Sequence, residues 1–378
     1  MKNKVLLSRF YRMLMNVNIY RLCVRKASML MKCAGITDRA AEGENEWCNR
    51  WGQLFKVSKK EYRLYASYVE KANCIDIVPE SVLYGCIEPI LNPYRYRSLY
   101  SDKNYYDRIF PKGSMPKTVL RKIVQIETFL DADYRPMEYE ELLLSPFDMV
   151  IVKPSVGTSS GEGVELLEKS AEGSYRVISS GEQFSREWLG RYKNGFIVQE
   201  CVRQSAFMAQ FNSSSVNTLR VSVYKSVADG KSHAVSAVLR IGKSGAFVDN
   251  AHRGGRLVGI DMETGKLNSY VCDQYGVKVT EFNGIDFTAE DYYVPNWKDV
   301  LSFAEDMADH IYNQQLIAMD IMLDISGLPK LIEINVAGFG GWAFLFSGMS
   351  VFGKYTDEIV SHCIREKGRF FYTKQFIS

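Results

Sequence analysis

The stretch from Ile317 to Asn335 carries the densest oxygen chemistry in the chain. IAMDIMLD sets Asp320 inside an apolar run, and LIEIN supplies Glu333 thirteen residues later and Asn335 two beyond it. Apolar runs on both sides of the short turn Asp324–Pro329 predict a hairpin. Side chains alternate between the faces of a strand, so Glu333 and Asn335 share one face. Asp320 on the partner strand can point the same way. Two carboxylates and one amide oxygen form an all-oxygen set of the kind magnesium accepts, with water and phosphate oxygens completing its shell. A solvated hairpin face would show the same charged row between the apolar residues Met319, Ile321, Ile332 and Ile334. The two readings part on whether the carboxylates face a cleft.

Two further stretches supply groups that suit a nucleotide. MVIVKPSVGTSSGEGV ends an apolar strand in Lys153, then opens a loop with Gly157, Ser159, Ser160, Gly161 and Gly163. Glycines let backbone amides approach phosphate oxygens, and the lysine adds a point charge. No Lys-Ser/Thr follows the last glycine, so this is not a Walker loop. The glycines follow the lysine strand, the reverse of the protein-kinase order. An ordinary hairpin turn would also use such residues. FIVQECV runs a strand into Gln199, Glu200, Cys201 and Val202. Such a strand end can hang a purine between two lobes, with Glu200 or main-chain groups reading adenine and ribose; alone it is only a strand end. No Ser/His/Asp or Cys/His constellation accompanies these segments, and neither His233 nor His252 has a catalytic partner in the sequence.

The elements that must position these groups read as short strands at Met149–Lys153, Tyr175–Ser179, Phe196–Gln199, Thr218–Tyr224, Ala234–Ile241, Ile317–Leu323 and Lys330–Ile334. Helices are expected at Lys59–Lys71, Gly181–Tyr192, Trp297–Gln314 and Phe352–Glu366. Strands with single helices between them argue an α+β or α/β fold rather than an all-β one. With 378 residues, 46% apolar and 24% charged, the chain can bury two or three packed units and is not a disordered one. Eight cysteines without a CxxC pair read as reduced thiols, and the expected location is the cytoplasm. The charge-free apolar stretch Met13–Tyr20 is too short for a signal peptide or a membrane span.

Net charge is +3, yet residues 1–40 hold nine basic residues against one acid, Asp38. Leu6, Phe10, Met13, Leu14 and Val17 fall at helical spacing there. This basic arm is expected to stay out of the site and give weak peripheral attachment to the inner face of an anionic membrane, with no nucleic-acid partner. A solvated helix face is the plainer reading.

In order and spacing, the lysine strand, glycine loop, Gln-Glu hinge and Asp…Glu-x-Asn hairpin resemble the ATP-grasp superfamily, and the hairpin looks like that of D-alanine–D-alanine ligases. Tyr100–Pro111 (YSDKNYYDRIFP), Phe211–Tyr224 (FNSSSVNTLRVSVY), Val248–Gly255 (VDNAHRGG) and Leu331–Trp342 (LIEINVAGFGGW) are similar to the sugar-transfer-associated ATP-grasp family. The resemblance covers roughly residues 100–365. It implies an α+β ATP-grasp fold, two lobes clasping ATP, with ATP and Mg2+ as cofactors. Lys153 and Lys103 would hold phosphates, Gly157–Gly163 would cover them, and Gln199, Glu200, Cys201 and Val202 would form the adenine hinge. Asp320, Glu333 and Asn335 would hold the metal. Arg220 would sit near the terminal phosphate or substrate, with Arg240 and Arg253 as further anion contacts. Glu162 departs from the basic residue that many relatives carry in this loop.

The implied units are a basic helical extension (1–55), a preceding region (56–125), a small lid lobe (126–205) closing over ATP, and a C-terminal lobe with the metal site (206–378). The implied reaction joins a small-molecule carboxylate to an amine through an acyl phosphate, with a sugar and an amino acid as candidate substrates in cell-surface polysaccharide biosynthesis. A phosphotransferase of the same fold and a non-catalytic ATP-binding protein at a membrane surface are the competing readings.

Overall fold

A computed structural model describes residues 2–157, 161–246, 249 and 251–370. Three helices open the chain: α1 (Lys2–Cys33), α2 (Glu44–Gly52) and α3 (Lys59–Tyr65). Ser58 starts α3 with a capping box, its hydroxyl accepting from the helix backbone while the Glu61 carboxylate reaches back to the Ser58 N–H.

Seven strands then build a first antiparallel sheet: β1 (Thr118–Lys122), β2 (Phe129–Leu130), β3 (Pro136–Met137), β4 (Met149–Pro154), β5 (Glu165–Lys169), β6 (Tyr175–Val177) and β7 (Phe196–Glu200). Their order across the sheet is β3-β2-β1-β7-β4-β5-β6. β1 lies N-terminal to the span 126–205 expected for the smaller lobe, yet it pairs directly with β7.

The second sheet uses β8 (Thr218–Lys225), β9 (Ser232–Ile241), β10 (Arg256–Gly259), β11 (Val271–Cys272) and β12 (Lys278–Val279). A two-stranded hairpin follows, β13 (Glu281–Phe282) with β14 (Ile285–Asp286). β15 (Leu316–Leu323) and β16 (Pro329–Asn335) then complete the second sheet, whose order is β12-β11-β10-β9-β8-β15-β16. Helices with antiparallel sheets make the fold α+β.

The expected strands stand within two residues of where they were read. The helix expected over Gly181–Tyr192 shrinks to Arg186–Leu189. Ser185 caps it, accepting from the Trp188 N–H. The residues before it are extended against β6, where Phe184 N–H donates to the Tyr175 carbonyl at 2.9 Å.

The second sheet is buried on both faces. On one, Val300, Ala304 and Met307 of the helix Trp297–Asp309 pack with Val221, Leu239 and Met319. On the other, α1–α3 share a core with Tyr224, Leu316 and Phe346. Residues 23–55 are therefore built into the body rather than appended to it. Ala27, Leu30 and Met31 of α1 are buried, as are Trp47 and Trp51 of α2. Those two indoles donate to the carbonyls of Ile77 (2.7 Å) and Ile75 (3.0 Å). Truncating such a tryptophan costs about 3–5 kcal/mol, so this region cannot be deleted without disturbing the core. The side chains of Leu6, Phe10, Met13 and Leu14 lie outside the described residues. None of the eight cysteines is in a disulfide, and no helix of the described residues is long and apolar enough to cross a membrane.

Candidate active site

The inner faces of the two sheets enclose a cavity of about 560 Å³. Its lining follows from strand alternation. On β4, Ile151 and Lys153 are two residues apart and face the cavity together; on β15, Met322 and Asp320 do the same. Each strand thus passes from an apolar residue to a charged one, giving the cavity an apolar end and a charged end. The apolar end collects Ile151, Val164, Val202, Met322 and Ile332. Register places Gln199 opposite Ile151, beside that end.

At the charged end, Asp320 lies directly across from Glu333 on β16 and from Arg220 on β8. Asn335 is on the same face, opposite Ala318. The register slips between Asp320 and Ile321, so Ile332 has no partner of its own. This bulge turns Ile332 into the cavity next to Glu333. Asp320, Glu333 and Asn335 therefore line one cavity with Lys103 and Lys153.

The charges are tightly paired. Arg220 grips Asp320 with Nε and Nη2, both at 2.8 Å, and Arg240 Nη1 reaches the same carboxylate at 2.7 Å. Burial pushes the Asp320 pKa up, but the two guanidinium groups overcome it and hold the carboxyl at about 2. Arg240 also contacts Asp249 at 3.1 Å, and the Thr218 hydroxyl donates to Asp249. Burial raises the Asp249 pKa against the pull of Arg240. Lys103 bonds Glu333 at 2.7 Å. Among the described residues no three His, Cys, Asp or Glu side chains gather as a metal cluster. The hard-ligand set is instead two carboxylates and an amide. Asn335 lines the cavity, and its amide nitrogen is buried with no hydrogen-bond partner among the described residues. An all-oxygen set of this kind fits magnesium, and the apolar end with its two lysines beyond fits a nucleoside triphosphate.

Lys153 is the one cavity lysine without a carboxylate partner in bonding range among the described residues. Burial lowers its pKa most, the neighbouring Lys103 lowers it further, Glu333 partly opposes them, and the result is about 8. Below pH 8 the ammonium is already charged and ready for an anion. Above it, an anion that requires the charged form must bind with uptake of a proton. Affinity for ATP is therefore expected to fall above pH 8, by up to about tenfold per pH unit. Calorimetry in buffers of different ionisation enthalpy should show proton uptake near pH 9 and none near pH 6.5.

The remaining expected residues divide. Gly157, Gly161 and Gly163 all have positive φ. A Cβ at Gly163 would meet the Pro154 ring at 2.9 Å, so this position needs glycine. Ser159 and Ser160 lie outside the described residues. Gln199 and Glu200 line the cavity, but their side chains are already engaged. The Gln199 amide donates to the Pro116 carbonyl at 3.1 Å, and Glu200 accepts from the Lys117 N–H at 2.9 Å. They stitch β7 to the segment before β1, leaving Val202 as the hinge side chain that meets the apolar end. Cys201 is half-buried, with its thiol pKa raised by burial, and is not part of the lining. Arg253 is exposed and away from the lining, and nothing is described of the His252 side chain. His233 pairs with Asp229 at 3.2 Å and stacks on Tyr355, remote from the cavity.

Asp249, Thr218 and Trp342, which lie within the resembling segments but carry no expected role there, also line the cavity. The Lys26 ammonium of α1 lies 5.8 Å from the Trp342 ring centre. The first helix thus backs a wall of the site, while none of its residues lines the cavity. No local pattern in the sequence marks that contact, because it spans more than 300 residues.

A family model described as sugar-transfer associated ATP-grasp matches residues 87–354. No curated protein matches the sequence. Among solved structures, a D-alanine–D-alanine ligase from Coxiella burnetii aligns over 74% of this chain and 61% of its own, at 11% identity and a TM-score of 0.41. A D-alanine–D-alanine ligase from Bacillus anthracis aligns over 74% and 72%, at 14% identity and a TM-score of 0.38. An L-amino acid ligase from Bacillus licheniformis aligns over 71% and 49%, at 13% identity and a TM-score of 0.34. The chain spans about three fifths of the Coxiella enzyme and half of the licheniformis one. The family match, not these loose superpositions, decides the assignment.

Proposed function

The chain belongs to the sugar-transfer associated ATP-grasp family, whose members use ATP with Mg2+, and we propose that it is an ATP-dependent ligase joining a small-molecule carboxylate to an amine. One observation carries this reading: two lysines held by the first sheet face two carboxylates and an amide of the second across a single cavity. The base would lie between Ile151 and Met322, and the phosphates between Lys153, Lys103 and the carboxylate row. Asp320, Glu333 and Asn335 would hold magnesium, which when bound neutralises charge on the phosphates.

In this reading a substrate carboxylate oxygen bonds to the γ-phosphorus and the bond to ADP breaks. An amine then attacks the acyl carbon, phosphate leaves, and the amine proton passes to solvent. Lys103 and Lys153 orient the phosphates and offset the charge that moves onto ADP. Arg220 stands beside Asp320 where the transferred group would pass, preorganised by its two bonds to that carboxylate. Mass spectrometry after incubation with ATP, Mg2+, pooled sugars and amino acids tests the reading. ADP, phosphate and a new amide support it. ADP with a phosphorylated acceptor would replace it with a phosphotransferase, and no nucleotide turnover with any pool would favour a binding protein. The family description names sugar transfer, and sugars of surface polysaccharides are the acceptors proposed for the first pool.

The first helix also supports peripheral attachment to an anionic membrane. Its outward side exposes Val17, Leu22 (63%) and Met29 (49%) among the exposed Arg21, Arg25 and Lys32. Each basic residue near such a surface is worth about 1 kcal/mol. Arg21→Glu, Arg25→Glu and Lys32→Glu together should weaken binding to phosphatidylserine vesicles by at least about 10²-fold and leave ATP affinity unchanged. Co-sedimentation equal to wild type at low salt would remove the membrane assignment. Deletion of residues 1–40 is not the right probe, because Ala27, Leu30 and Met31 belong to the core.

A further inference from the structure

We infer that Arg121 is a positioning residue for Lys103: it makes the turn that carries this lysine a working part of the first sheet. Lys103 precedes that sheet in sequence, and the segment around it also touches the second sheet, where Tyr106 and Phe110 are buried with Ile334. The anchors of its backbone nevertheless run to the first sheet. Lys103 N–H donates to the Ser155 carbonyl at 3.0 Å, two residues past Lys153. The Asn104 side-chain amide adds a bond to the Lys122 carbonyl at 2.9 Å.

Arg121 sits on β1 with no exposed surface at all. Its Nη1 donates to the Asn104 carbonyl. Its Nη2 reaches the Asp107 carboxylate and, at 3.3 Å, the Ala132 carbonyl, while Nε meets the Asp131 carbonyl at 3.2 Å. The guanidinium lies 4.0 Å over the ring of Tyr134, whose hydroxyl donates to the same Asn104 carbonyl at 2.7 Å. The peptide between Asn104 and Tyr105, one residue beyond Lys103, is thus held by two donors, one on β1 and one in the turn between β2 and β3.

Only a guanidinium offers donors in a planar fork wide enough for this set. Burying a cation is costly unless its donors are matched, and here one carboxylate and three carbonyls match them. The consequence concerns the site. Lys103 and Lys153 become one rigid pair on one sheet, facing Glu333 on the other. The Lys103–Glu333 contact of 2.7 Å then joins the two sheets, and a triphosphate entering between them meets both lysines at a fixed spacing.

This inference rests on the reading of Lys103 as a phosphate ligand, so the test separates the two. ATP affinity is measured by calorimetry with Mg2+ on the full chain for Arg121→Lys, Lys103→Met and the double variant. Arg121→Lys keeps the charge opposite Asp107 and loses the fork. It is expected to weaken ATP binding about tenfold, and Lys103→Met by more. The double variant should bind no worse than Lys103→Met alone, because Arg121 acts through Lys103. Full additivity, or a folded Arg121→Lys with unchanged affinity, overturns the inference. Wild-type affinity in Lys103→Met overturns the phosphate reading beneath it. Should Arg121→Lys fail to fold, Tyr134→Phe removes one of the two donors on the Asn104 carbonyl. A severalfold loss that vanishes in the Lys103→Met background supports the inference, and no loss overturns it.

Discussion

Replacing Lys153 by Met should cut ATP affinity by about 10²–10³-fold while the melting temperature holds or rises. The two halves of this result have one cause. Lys153 faces the cavity on β4 with its ammonium partly stripped of water and crowded by Lys103, which is why its pKa falls to about 8. That state is unfavourable in the empty protein and becomes favourable only when an anion arrives. Methionine keeps the length and packing of the stem and removes the unpaired charge, so the fold loses nothing and is relieved of a desolvated cation. Binding loses a charge-assisted contact to phosphate, for which truncation costs about 2–5 kcal/mol. Calorimetry with ATP and a thermal melt on the same sample check both halves. Weak binding together with a lowered melting temperature would assign Lys153 to the fold rather than to the nucleotide. Unchanged binding would remove it from the site, and the decline in affinity above pH 8 should vanish along with its charge.

The shared face of Glu333 and Asn335 was legible because period-two alternation is a local property that holds whatever surrounds them. Their opposition to Asp320 was less secure. The bulge at Ile332 sets the pairing of Glu333 with Asp320, and no residue type at that position announces it. The same bulge puts Ile332 and Glu333, neighbours in sequence, into one cavity wall, which a strict alternation pattern forbids. The hinge was legible as a strand end but not in its side chains. Gln199 and Glu200 turn out to be tied to Pro116 and Lys117, more than 80 residues away.

The amino-terminal region was misjudged for a related reason. Its excess of basic residues reads as a solvated arm, but charge lies on one side of α1 while Ala27, Leu30 and Met31 lie on the other. Those residues are small or flexible and leave a faint periodic signal. Trp47 and Trp51, at a four-residue step, were the stronger sign of a buried helix face.

Glu333→Gln should leave ATP bound and stop its turnover. In the described conformation Glu333 is paired with Lys103 at 2.7 Å, so the carboxylate competes with phosphate for that lysine. Glutamine keeps the shape and releases the lysine, and binding of ATP without magnesium should be as tight as in wild type or tighter. With magnesium the balance reverses. The hard-ligand row drops from two carboxylates to one, and Asp320 is already shared between Arg220 and Arg240, so the remaining site holds the cation poorly. The worth of Glu333 then appears where charge moves onto the transferred group, and loss of one such electrostatic contact typically costs about 10²–10³ in rate, roughly 3–4 kcal/mol. ADP release measured across a magnesium titration, beside calorimetry with and without the metal, distinguishes this from simple loss of binding. The expected pattern is intact affinity without magnesium, a raised magnesium requirement and a depressed plateau. Full turnover at sub-saturating magnesium would show that Glu333 does not hold the cation, and the assignment of Asp320 and Asn335 to the same site would go with it, because all three rest on a single face of one hairpin.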